Sequence, residues 1–113
     1  MAKPLIHAKS SARKFGGKAE DYLAIHDCMD SSKSVEASAK HRLVFHSAFG
    51  IFIIEKIFGH TIKNSDGKDI SVRDIAEQHV LEDLGFIPSL NDYLKHMDLA
   101  PWMAGKKKIE IVD

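Results

Sequence analysis

One cysteine, Cys28, in 113 residues leaves no partner for an intramolecular disulfide and fits a reducing compartment. A lone cysteine is most often a small core hydrophobe, and the His26-Asp27-Cys28 triplet does not by itself make it a nucleophile. No charge surplus exists either. Sixteen basic and sixteen acidic residues cancel, and the basic excess with which a nucleic-acid binder tracks phosphates is missing. The longest apolar stretch, Ala48 to Ile54, is far short of the roughly 20 residues that span a bilayer. Met1-Ala2-Lys3-Pro4 carries no apolar signal region, so a soluble, cytoplasmic protein is expected. HExxH, CxxC, GxSxG and a glycine-rich phosphate loop are all lacking.

What remains is an ordinary globular composition, 44% hydrophobic and 28% charged, with room for one domain over residues 1–113. Leu5, Ala8, Ala12 and Phe15 follow helical spacing up to Gly16-Gly17. Glu20-Asp21 open a second helix, with Tyr22, Ile25, His26 and Met29 on its inner face. A third, from about Val35 to Phe58, is apolar nearly all round and is expected to be the central, buried helix. A strand over Ile51 to Ile54 is the alternative. The polar run Asn64-Ser65-Asp66-Gly67 predicts a β-hairpin turn. Ser71 and Asp74 give a cap for a fourth helix that Gly85 closes, and Pro88-Ser89 start a fifth reaching Met97. Pro101-Trp102 is expected to fold back as a lid, and residues 106–113 to form a loose tail or, through Ile109-Glu110-Ile111, an added strand. The fold class is therefore mainly α, a compact bundle of four to five helices around a central one, with a small hairpin.

The seven histidines carry the chemical signal. His79 and Asp83 fall inside the apolar stripe Ile75, Ala76, Val80, Leu84, and residues four apart on a helix differ by only about 40°. Buried there, they need each other, another partner or a metal. His26 and Asp30 repeat the spacing on the second helix, and His46 lies on the seam Leu43, Gly50, Ile53. Two such pairs plus a third imidazole suit a divalent transition metal: zinc first, with iron or manganese as further choices. The expected ligands are His26, His46, His79 and Asp83, with Asp30 or Glu82 as general base of a small hydrolase-like site acting on a small-molecule ligand. His7 can reach the site by tertiary folding. His41 and Arg42 form a basic pair for an anion or for Asp27. His60 and His96 read as exposed. The other reading is a non-catalytic binding or assembly module whose His–Asp pairs fix the fold, the apolar surplus of the third helix and Pro101-Trp102 feeding a homo-oligomer.

His26-Asp27 is similar to the doublet of HD phosphohydrolases, but that fold needs a longer chain. The stretches FGGKAEDYLAIHDCMDSSK, HRLVFHSAFG, EKIFG, NSDGK, VRDIAEQHVLEDLG and IPSLNDYL together resemble a family of small, uncharacterised, His-rich soluble proteins of microbial and phage genomes, a domain of unknown function. That resemblance implies recurrence of the His and acid positions as a set and brings no catalytic residues with it. Lys40 stands where its pattern would have an arginine.

Overall fold

A computed structural model describes residues 3–106; the alternation Ile109-Glu110-Ile111 lies outside them. Helix α1 (Pro4–Phe15) begins on a proline whose missing N–H has no helical partner to lose, and Gly16, at φ 91°, ends it. Helix α2 (Glu20–Met29) places both leading acids at its positive end and buries Tyr22, Ile25, His26 and Met29, the face that the periodicity predicts. Strands β1 (Thr61–Lys63) and β2 (Asp69–Ser71) form the antiparallel hairpin, with Ile62 opposite Ile70. Its turn is held by the Asn64 side-chain oxygen, which accepts from the backbone N–H of Asp66 and of Lys68, each at 3.0 Å.

Helix α5 (Val72–Leu84) follows directly. The Ser71 hydroxyl accepts from the Asp74 N–H at 3.2 Å, and Gly85 closes the helix in the left-handed region. Helix α6 (Leu90–Leu94) carries a reciprocal Ser89–Asp92 capping box and stops short of Met97. Pro101–Ala104 is a 3-10 turn whose Trp102 is 71% exposed, so this segment does not form a lid.

The long third helix is broken. Ser31–Ser34 and Ala39–His41 are 3-10 turns, helix α3 spans Arg42–Phe45, and helix α4 spans Ala48–Phe58. Between them His46 (φ −91°, ψ 54°) and Ser47 (φ −149°, ψ 169°) leave helical geometry, and the Ser47 hydroxyl caps α4 by accepting from Gly50 N–H at 3.0 Å. A Cβ on Gly50 would overlap the Phe45 carbonyl group, so glycine is what lets the new helix fold back against the old one. Gly50→Ala is therefore expected to lower stability by about 1–3 kcal/mol in denaturant unfolding, since the clash is with backbone that cannot swing away. Ile51 to Ile54 is helix rather than strand. Helix α4 buries Gly50, Ile51 and Ile54 but leaves Phe49, Phe52 and Ile57 about half exposed, so it flanks the core instead of running through it.

The core joins Ala8 of α1, Tyr22, Ile25 and Met29 of α2, Ile51 and Ile54 of α4, Ile70 of β2, and Val72, Ile75, Ala76 and Val80 of α5. Helix α5 packs against α1, α2 and α4. No helix among the described residues is long and apolar enough to cross a membrane.

Candidate metal centre

Where α5 leaves the apolar core, its inner face turns polar. His79 and Asp83 point toward the end of α2, which supplies Asp30 as its C-cap, and toward the α3–α4 break, which supplies His46. Their side chains are nearly sealed from solvent: both histidines are fully buried, and Asp30 and Asp83 are 5% and 2% exposed.

Four atoms form a closed N₂O₂ ring. His46 Nε2 lies 3.0 Å from Asp83 Oδ2 and 3.5 Å from Asp30 Oδ1; His79 Nε2 lies 3.4 Å and 3.2 Å from the same two oxygens. A tetrahedral ion with ligands at 2.0–2.1 Å would set its ligand atoms roughly 3.3 Å apart; the four nitrogen–oxygen edges are on that scale, and all four atoms lie within 4.8 Å of one another. The other Asp30 oxygen, Oδ2, is buried with no hydrogen-bond partner among the described residues, as is His46 Nδ1.

Hydrogen-bond direction fixes which nitrogen of His79 is free. The Gln78 amide nitrogen lies 3.1 Å from the His7 carbonyl and 3.0 Å from Glu82 Oε2, two acceptors, so it donates to both. Its oxygen then faces Ser11 Oγ at 2.6 Å, and the single Ser11 hydroxyl proton goes there or to the His7 carbonyl at 3.1 Å, both of them acceptors only. His26 Nε2, 2.8 Å from Ser11 Oγ, must therefore carry its own proton and donate it. Burial, with the nearby His79 and His7, holds His26 down to about 3, so this ring is neutral and its Nδ1 is an acceptor. The proton in the 2.8 Å His26 Nδ1–His79 Nδ1 contact thus belongs to His79. A neutral His79 then turns a bare Nε2 toward two carboxylates. Only a cation, either a proton or a metal ion, makes that arrangement favourable.

His7 sits beside this ring. Its Nδ1 is 2.7 Å from Glu82 Oε1 and its Nε2 3.1 Å from Asp83 Oδ1, so both nitrogens face carboxylates. Burial works against its charge, but the bonds to Asp83 and Glu82 prevail and its pKa is raised. Burial likewise opposes charge on Asp83 and Asp30. With protons in the ring, the bonds from His46, His7 and His79 win and hold Asp83 far below the usual carboxylate range, and the His79 contact lowers Asp30 in the same way. Glu82, against its own burial, is lowered by Ser10, His7 and Gln78.

Of the residues singled out in the sequence, His46, His79, Asp83 and Asp30 come together. His26 stands behind His79 with both nitrogens engaged, and Glu82 lies beyond His7 on the outer wall. His41 is buried and edge-on to His46, its pKa lowered by burial. Asp27 is exposed, so the His26-Asp27 doublet does not converge, and Arg42 pairs with no carboxylate among the described residues. His60 is exposed and meets only Glu55. Sequence reasoning missed Ser11 and Gln78. Ser11 follows His7 and Ala8 along the buried side of α1, and the argument that flagged His79, a polar residue in an apolar stripe, applies to it equally.

The family whose model matches residues 2–103 is described as a domain of unknown function, DUF6915. No curated protein and no solved structure matches the chain.

Proposed function

The chain belongs to the DUF6915 family, whose description assigns no activity, and from the site itself we propose that this domain binds one divalent transition metal ion. The ligands are His46 Nε2, His79 Nε2, Asp30 and Asp83. The observation that carries this reading is the N₂O₂ ring, in which two buried carboxylates and two imidazole nitrogens face one point. Zinc suits four nitrogen and oxygen ligands, and iron or manganese would be held if water or a second carboxylate oxygen joins. In this reading His26 is a positioning residue: it accepts the His79 Nδ1 proton and, through Ser11 and Gln78, keeps Nε2 free for the ion. Bound there, the ion would supply Lewis acidity; His7 and Asp83, which border a cleft but are only 1% and 2% exposed, stand between it and a small-molecule ligand. Glu82 is the second carboxylate of that wall, and its oxygens already accept from His7, Ser10 and Gln78.

A second reading rests on the near-closure of the ring, whose four side chains are at most 5% exposed. In it the centre holds protons and serves only to fix the packing of α2, α5 and the α3–α4 break.

Elemental analysis of protein purified without chelator separates the two. Near-stoichiometric zinc, iron or manganese in the wild type, absent from His46→Ala and His79→Ala variants with retained helical circular dichroism, is the expected result. A folded protein that contains no metal and takes none up on titration would end the metal reading and leave the structural one.

A further inference from the structure

Beside the cluster, a cleft of about 440 Å³ opens to solvent, with His7 and Asp83 in its wall next to Glu82 and Ser10. Two arginines from separate elements, Arg13 of α1 and Arg42 of α3, line it too. Among the described residues neither guanidinium forms an ion pair or a side-chain hydrogen bond, and Arg42 Nε is buried with no acceptor. Buried donors in folded proteins are nearly always satisfied, yet the Arg42 guanidinium, which also borders a pocket with Leu84, Phe86 and Tyr93, still lacks an acceptor among the described residues. The acids in the wall do not meet that need. Glu82 already accepts from His7, Ser10 and Gln78, and Asp83 faces His7, His46 and His79.

We propose that this cleft binds the phosphoryl group of a small phosphorylated molecule, its oxygens shared between Arg13 and Arg42 beside the metal centre. Guanidinium forks match oxyanions geometrically. Two guanidinium charges match a phosphoryl dianion better than a singly charged carboxylate. The volume suits a small ligand rather than a polymer. The inference rests on the metal reading for charge balance, because an unneutralised Asp83 would repel the anion.

The test is calorimetric titration of the full chain, metal-loaded and chelated, with inorganic phosphate, phenyl phosphate and acetate. Metal-loaded wild type is expected to bind both phosphates and to prefer phosphate to acetate. Arg42→Gln and the exposed-site variant Arg13→Gln should each weaken phosphate by about tenfold with metal content unchanged, the loss of one charge-assisted fork. Arg42→Lys, which keeps charge but not the fork, should recover little. Phosphate affinity unchanged in both glutamine variants overturns the proposal while leaving the metal centre standing, and acetate binding as well as phosphate overturns the phosphoryl assignment. Should the protein take up no metal, the metal reading fails separately. Phosphate binding by the chelated protein that needs Arg13 and Arg42 would then support the cleft, and its absence would overturn it. Because Arg13 is exposed, its variant keeps the test valid if Arg42→Gln fails to fold.

Discussion

Asp83→Ala is expected to destabilise the chelator-treated protein by about 3–5 kcal/mol in guanidinium unfolding, the cost typical of removing one partner from a buried charge network. Asp83 Oδ1 faces His7 Nε2 at 3.1 Å, and Oδ2 faces His46 and His79 at 3.0 and 3.4 Å. Without it, three buried imidazoles share Asp30 and Glu82 alone. The sign of its pH dependence follows from the depressed pKa: the Asp83 contribution is complete above the ordinary carboxylate range and is lost as pH falls below it. A loss under about 1 kcal/mol would show that Asp83 is not paired as described. The variant is also expected to carry no metal, a separate readout on a separate sample.

The second large effect is acid sensitivity above the carboxylate range. His26 is fully buried, and its pKa falls from 6.5 to about 3, first through burial and then through His79 and His7. The unfolded chain therefore binds a proton that the folded one refuses. Stability is full above about pH 6.5 and drains away toward pH 3, by an amount on the order of 4–5 kcal/mol in the metal-free protein. His7 acts oppositely. Its raised pKa makes its contribution complete below 6.5 and lost as pH rises through the folded value. Unfolding free energies measured across this range with chelator present should peak near neutrality, and His26→Gln should flatten the acid limb. A wild-type acid limb that begins only below about pH 4.5 would mean that carboxylates, not His26, set it.

Helix α5 was legible almost entirely from sequence, because its signals are local: Ser71 and Asp74 at one end, Gly85 at the other, and two polar residues inside an apolar stripe. The hairpin and α2 are equally local. The third helix misled, because hydrophobic periodicity continues across His46-Ser47 while the backbone does not. A serine cap and a glycine read as tolerated interruptions are instead the start of α4, and the half-exposed Phe49, Phe52 and Ile57 leave the apolar surplus without a partner in the described chain. That break matters for the site, since it turns His46 toward Asp83. Spacing alone placed His26 and Asp30 on one helix face but could not show their different targets. Asp30, at the non-helical C-cap, reaches the Nε2 side of His79, whereas His26, a turn earlier, reaches its Nδ1 side. Ser11 and Gln78 act through contacts 15 and 67 residues away in sequence, beyond any local pattern.

The contact between His7 and the Glu82-Asp83 pair spans 75 and 76 residues, and His46 meets Asp83 across 37. Closing such spans costs loop entropy that the local helix and hairpin contacts do not, so these contacts are expected to form late in folding. On that expectation the polar centre is completed by the fold and does not nucleate it. Interactions absent from the folding transition state act on the rate of unfolding rather than of folding, so an ion held there would lengthen the lifetime of the native chain and leave the speed of its formation nearly untouched.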